Sequence, residues 1–224
     1  MPKKSHQTYF ASSFPVSSLE IDGYKISYED HKDSLNMTFS QKEQKKFQDL
    51  LHEAQIHPKQ AYVKVLEWQS TVQNSKELDN LLTYLHLQNK QIEKAENLTL
   101  VSFQKYPDYL FAKINYADQS LRKNKINQIP LIFPSFNLKE LFPKRTSFHV
   151  SEFRGFMIFA SHYHLKIKQP SLAKHYYDNA RQADPLHPSV LFSERKFYKK
   201  SIVFKFFQKV DLFKLKSFFC KTIQ

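Results

Sequence analysis

Apolar residues recur along this chain at the three- and four-residue spacings that place them on one face of a helix. Phe47, Leu50, Leu51 and Ala54 do so between Gln41 and Gln55. Ser40, with Glu43 three residues on, reads as an N-cap and its capping-box partner. Ala61, Val65 and Trp68 mark a second helix. The pattern continues with Leu82, Thr83 and His86, then Ala95, Thr99 and Ser102; Pro107 follows where it no longer breaks a helix interior. Tyr106 to Ala117 reads as a helix end, a proline turn and the next helix, which runs from about Tyr109 to Lys123. Ser151 and Glu152 open a further helix carrying Phe156, Phe159, Ala160 and Tyr163. Its partner carries Ala173, Tyr177 and Ala180 and is closed by Pro185.

These helices keep a period. Ala61 and Ala95 are 34 residues apart, and so are Leu82 and Tyr116. Tyr116 and Phe159 are 43 apart, and the excess falls between Asn124 and Val150. Pro130, Pro134 and Pro143 prevent that stretch from being one clean helix. Asn137 to Leu141 adds a short helical turn. Leu131, Ile132, Phe133, Phe136 and Leu141 are expected to fold over the stack and fill the gap left by the broken helix, because so many apolar groups left in water would form an adhesive patch. Lys144 and Arg145 are expected to stay in solvent.

A helix–turn–helix unit of this length, with small residues at these places, resembles the tetratricopeptide repeat (TPR), whose loose pattern is W-x2-L-G-x2-Y…A-x3-F…P. Phe156-x2-Phe159-Ala160-x2-Tyr163 followed by Ala173-x3-Tyr177-x2-Ala180-x4-Pro185 carries the resemblance best. It extends from Gln41 to Pro188. The tryptophan and glycine of the first-helix motif are replaced in every copy, and the last copy places one extra residue in its turn. The run from Glu140 to Phe153, leading into a unit, is similar to uncharacterised bacterial TPR proteins. The resemblance implies an all-α fold, a right-handed superhelical stack of about three and a half helix pairs with a C-terminal capping helix. Residues 1–39 would be a partly disordered arm, 40–188 the repeat domain with its insert at 124–150, and 189–224 the capping helix and basic tail. It also implies a scaffold or adaptor that binds a peptide or helix of another protein on a concave face lined by first helices. Asn80, Tyr84, Asp118, Arg122, Arg154, Ser161 and His164 would face that partner. Lys144 and Arg145, at the lip, would favour an acidic one. Of the lysines and asparagines with which some TPR domains clamp a terminal carboxylate, Asn115 alone has a counterpart here; Leu81 and Ile158 stand at the equivalent places.

Charge adds a second reading. The net charge is +13, and from Lys196 to Gln224 there are 8 lysines against one acid, Asp211. Ile202, Val203, Phe206, Phe207, Val210 and Phe213 share a helical face, which suits a cap over the last apolar surface. The same segment also suits a basic helix on an anionic membrane or an electrostatic contact with nucleic acid. At the other end, Ser12, Ser13, Pro15, Ser17 and Ser18 suggest a poorly ordered leader. The partial alternation of Ile21, Tyr24, Ile26 and Tyr28 suggests a short strand or a segment docked on the first helix.

Little in the chain points to catalysis. Only Gly23 and Gly155 are glycines, and neither glycine-rich phosphate-binding motif is present. Cys220 is the single cysteine, which excludes an intrachain disulfide and a cysteine-cluster zinc site. His162 and His164 are two apart on a helix and point to different sides, so a regular helix cannot offer both to one ion. No enzyme activity, metal or cofactor is expected. The first residues lack the apolar run of a secretory signal, so the expected compartment is the cytoplasm.

Overall fold

A computed structural model describes residues 17–28, 39–72 and 74–198. They are mostly helical, with one small three-stranded sheet. The helices run in order as α1 (Gln41–Ile56), α2 (Pro58–Gln69), α3 (Lys76–Gln88), α4 (Ile92–Lys105) and α5 (Leu110–Arg122). A 3-10 turn (Ile126–Gln128) and two single-turn helices, α6 (Ile129–Ile132) and α7 (Leu138–Leu141), follow. Then come α8 (Val150–Lys166), α9 (Pro170–Ala183) and α10 (Pro188–Tyr198). From α1 to α5 each helix packs on the one before it; α8 packs on α5 and α9, and α10 closes on both α8 and α9.

Local chemistry sets the boundaries. The Ser40 hydroxyl accepts from the Glu43 N–H, while the Glu43 carboxylate accepts from the Ser40 N–H at 2.8 Å, closing the capping box of α1. Pro58, Pro170 and Pro188 open α2, α9 and α10, where the missing N–H costs nothing. Ser75 caps α3. At α8 the cap is His149: its Nδ1 accepts from the Ser151 N–H, and Glu152 reaches back to the His149 N–H.

The sheet is a departure from an all-α chain. Strands β1 (Ser18–Ile21) and β2 (Tyr24–Ser27) form a hairpin through Asp22 and Gly23, whose φ angles of 51° and 75° give the left-handed turn that matches strand twist. Strand β3 (Phe148–His149) lies parallel to β2, pairing Ile26 with Phe148. Part of the expected leader is thus an ordered element, and it docks on the last helix pair rather than on the first helix. Tyr24 Oη donates to Asn137 Oδ1 at 3.0 Å and accepts from the Leu138 N–H. Tyr28 Oη donates to the Ala183 carbonyl at 2.8 Å. Asp22 Oδ2 accepts from His175 and from Asn179, each at 3.1 Å.

Two cores result. One gathers Phe39, Phe47, Ala61, Val65, Trp68 and Leu78–Leu85 around α1, α2 and α3. The other joins the hairpin's Ile21, Tyr24 and Ile26 to α5, α8, α9 and the insert. Within it Ile132, Phe133 and Leu138 are buried, and Phe136 stacks on Tyr163 with ring centres 5.0 Å apart. The insert does cover the gap, but Leu131 does not take part: it is 84% exposed, because Pro130 and the single turn of α6 aim Ile129 and Ile132 inward and leave Leu131 between them outward. The apolar face of 202–213 lies outside the described residues; α10 is the last described helix, sealing the second core with Val190.

Candidate partner-binding face

The three first helices α3, α5 and α8 end in the same way. Lys90, Asn124 and Lys168 take left-handed φ angles of 59°, 59° and 63°. Each donates its N–H to the carbonyl of Leu87, Leu121 or Leu165, and the following N–H bonds to His86, Ser120 or His164. That pair of bonds is the Schellman motif, which satisfies the last carbonyls of a helix. In two copies a side-chain bond repeats as well: His86 Nδ1 meets Gln91 Oε1 at 2.7 Å and His164 Nδ1 meets Gln169 Oε1 at 2.8 Å. The turn residues fix the register. They lie 34 and 44 apart, and Lys168 precedes the buried Ala173 by the same five residues that separate Lys90 from the buried Ala95. The last turn therefore holds no extra residue, and Tyr116 corresponds to Ala160 rather than to Phe159.

This one-residue correction decides which side chains face outward. On α3 the accessible positions are Lys76, Asn80, Tyr84, Leu87 and Gln88, with the rest of each turn buried up to the cap. Moving on by 34 and then 44 gives Asp118, Leu121 and Arg122 on α5, with Ile114 of the same row buried, then the partly exposed Ile158, His162 and Leu165 and the exposed Lys166 on α8. A further 34 reaches Phe192 and Lys196 on α10. Neighbouring helices touch along this line. Asn115 Nδ2 donates to Asn80 Oδ1 at 2.8 Å, linking α5 to α3. Gly155 of α8 lies over Ile114 and Phe111 of α5, where an added Cβ would make ordinary van der Waals contact at 3.7 and 3.9 Å. His162 Nε2 meets Ser193 Oγ at 2.9 Å, linking α8 to α10.

The stripe mixes anchors with charge. Tyr84 is 39%, Leu87 37% and Phe192 59% exposed, comparable to Val63 and Val101 on other faces. Asp118 accepts from Arg122 Nε at 2.9 Å across one helical turn. Burial lowers the Lys196 ammonium's pKa, and Asp118 partly offsets it. Burial, aided by Lys196, pushes His162 down to about 4, so its imidazole is neutral at physiological pH.

Of the residues expected on this face, Asn80, Tyr84, Asp118 and Arg122 lie on it. Ser161 and His164 do not: they are 0% and 5% exposed, because they belong to the α8 side that meets α9 and the insert. His164 sits in an aromatic cage, stacked on Tyr176 at 5.2 Å and edge-on to Phe136 at 4.9 Å. Arg154 is spent on structure as well, donating from Nη1 to Asp184 Oδ2 at 2.6 Å and so tying the start of α8 to the end of α9. Lys144 is exposed as expected, whereas Arg145 grips both Glu152 oxygens at 3.1 and 2.6 Å and covers the Phe148 ring. His162, Ile158, Lys166, Phe192 and Lys196 were missed. The recurring Lys–Gln pair at 90–91 and 168–169, read as a turn, was the signal that would have placed them.

No protein-family model, curated protein or solved structure matches the chain. Among the described residues no three His, Cys, Asp or Glu side chains stand close enough to hold a metal ion. No described helix is long and apolar enough to cross a membrane.

Proposed function

We propose that this chain is a protein-interaction scaffold, a TPR-like superhelical stack that binds an extended peptide or a helix along the stripe from Asn80 to Lys196. The observation that supports it is a shared register: α3, α5 and α8 end in the same turn at spacings of 34 and 44, and the equivalent residues Gln88, Arg122 and Lys166 of their last turns are all exposed. Tyr84, Leu87 and Phe192 supply apolar anchors of the kind that dominate interface energetics. Arg122, Lys166 and Lys196 against the single acid Asp118 favour a partner with acidic residues.

Selection from a displayed peptide library tests this. The chain ending at Tyr198 is expected to enrich acidic peptides with aromatic or aliphatic anchors, and the double variant Lys166→Glu/Lys196→Glu is expected to lose them. Absence of any enrichment, or enrichment indifferent to that variant, sinks the reading. The second reading rests on the 8 lysines between Lys196 and Gln224. If the tail is the functional part, the full chain binds anionic vesicles or nucleic acid in a salt-sensitive way and the chain ending at Tyr198 does not.

A further inference from the structure

The two edges of the stack differ in charge. Lys76 at the start of α3 lies over the ring of Tyr109, just before α5, and Gly155 near the start of α8 lies over Phe111 of α5. At the other end, Lys123 just past α5 sits 2.7 Å from Glu96 near the start of α4, which follows α3 after one short turn. The first helices α3, α5 and α8 therefore run side by side in one direction, and the turns that close them share one edge. The α1–α2 turn joins that edge, since the Tyr62 ring of α2 meets the His86 ring near the end of α3 at 5.3 Å. So does the end of α10: His162 of α8 meets its Ser193 at 2.9 Å, and its Lys196 feels the charge of Asp118 on α5.

The α1–α2 turn presents Ile56 and Lys59, and the α3–α4 turn presents Lys90, Ile92 and Lys94. Lys123 and Lys125 follow α5; Lys166, Lys168 and Leu172 surround the α8–α9 turn. All are exposed, Ile56, Ile92 and Leu172 by 53%, 48% and 39%. Residues 56–60, 89–94, 123–126 and 166–172 thus hold seven lysines against one acid, Glu93. The links on the opposite edge, 70–75, 106–109 and 184–187, hold two acids and no lysine or arginine. The longer link into α8 adds Lys144 and an Arg145 that Glu152 neutralises. Helix chemistry does not explain the excess. Lysines suit the negative ends of helices, yet Lys59 and Lys94 lie in the first turns of α2 and α4, at the positive ends. The chain also leaves α10 at this edge, and from Lys196 onward it carries 8 lysines against Asp211.

We propose that this edge docks the stack on an anionic lipid surface. The lysines meet headgroup phosphates and carboxylates across successive turns, while Ile56, Ile92 and Leu172 enter the boundary between headgroups and acyl chains. Cations spread along an open rim suit an extended anionic surface better than a small anion. Every cation in these turns is lysine, and no Phe, Tyr or Trp stands among them to stack on bases, which favours lipid over nucleic acid. The edge is independent of the partner-binding stripe. It also differs from a tail-borne contact, because binding lies on the folded turns.

Sedimentation of the full chain with vesicles of about one part phosphatidylserine to two parts phosphatidylcholine is the test, with pure phosphatidylcholine as the control. Binding to the anionic vesicles alone is expected, and added salt should weaken it. In Lys90→Gln/Lys94→Gln/Lys125→Gln/Lys168→Gln each lost charge is worth about fivefold in affinity, so a loss of about a hundredfold or more is expected. Lys42→Gln/Lys45→Gln/Lys139→Gln/Lys144→Gln removes the same charge elsewhere and keeps the tail; its affinity is expected to stay within about threefold of the parent's. All the changed lysines are exposed, and both variants should melt as the parent does. In a Cys220→Ser background, an environment-sensitive dye at Ile92→Cys is expected to shift to the blue on vesicles. The same dye at Leu186→Cys, 62% exposed on the opposite edge, is expected not to shift. Equal losses in the two lysine variants, a dye shift at both positions or at neither, or no binding by the full chain overturns the proposal. So does an oligonucleotide that binds through the same four lysines more tightly than the vesicles do.

Discussion

Lys144 stands in solvent, whereas its neighbour Arg145 satisfies both oxygens of a Glu152 that is 5% exposed. Removing Arg145 leaves a nearly buried carboxylate with the His149 N–H but without its cation. Arg145→Ala is expected to cost about 1.5–3 kcal/mol, and Lys144→Ala less than about 0.5 kcal/mol, in urea denaturation. Equal stabilities would show that the Arg145–Glu152 pair contributes nothing net. A second contrast concerns Ala173, fully buried against α8, and Ser171, exposed in the first turn of α9. Ala173→Phe overpacks that seam and should cost roughly 1–3 kcal/mol or more; Ser171→Phe should cost much less. Both contrasts show what a sequence reveals at this scale. The small residue at a helix crossing was legible, because volume at a seam leaves a spacing in the chain. The commitment of Arg145 was not, since nothing in the order Lys-Arg says which cation finds the carboxylate.

At the scale of elements, α10 is held by groups that acid would disturb. His187, just before α10, accepts from the Ser189 N–H at 3.2 Å, and burial with nearby Arg154 pushes its pKa down to about 3. His162, beneath α10, is pushed to about 4 by burial and Lys196. Both imidazoles are neutral in the folded chain, and the unfolded chain takes up the protons that they refuse. Their contribution is therefore complete above the ordinary histidine pKa of about 6.5 and is lost as pH falls from there towards 4 and below. Hydrogen exchange across 188–198 is expected to rise over that window before exchange in α3 and α4 does. His187→Gln should flatten the dependence, and an unchanged profile in that variant would remove His187 from the effect. Elements with strong periodicity were legible in the sequence within a residue or two. The hairpin was only half so: Ile21-Asp22-Gly23-Tyr24 carries a strong two-residue turn signal, yet its alternation is too short to say where it docks.

For the whole molecule, the two cores meet at a thin join. Between them α4 fully buries Ala95, Thr99 and Ser102 and half-buries Leu98 against the first core and Phe103 against the second, while Asn115 Nδ2 donates to Asn80 Oδ1 from α5 to α3. With few fully buried groups at the join, the two cores are expected to open separately. Trp68 is the single tryptophan and lies in the first core, so its fluorescence reports that core alone. Ile26 is fully buried in the second. Ile26→Ala is expected to cost about 2–5 kcal/mol there. The change should appear in circular dichroism while the Trp68 transition keeps its midpoint. A Trp68 midpoint that shifts equally would mean that the two cores melt as one. The period of 34 made the succession of helix pairs legible, because each pair repeats a local pattern. The pairing of β2 with β3 was not, since a parallel partner so distant in the chain is chosen by the shape of the finished core and leaves no local mark.

That pairing also imposes an order of events during synthesis. The hairpin leaves the ribosome before any described helix, but Phe148, Asn137, Asn179 and Ala183, to which it binds, are made only after α1 to α5. At about 5–20 residues per second its apolar side waits roughly ten to thirty seconds for a surface to cover it. Throughout that interval Ile21, Tyr24 and Ile26 are available to chaperones, to proteases and to the edges of other chains.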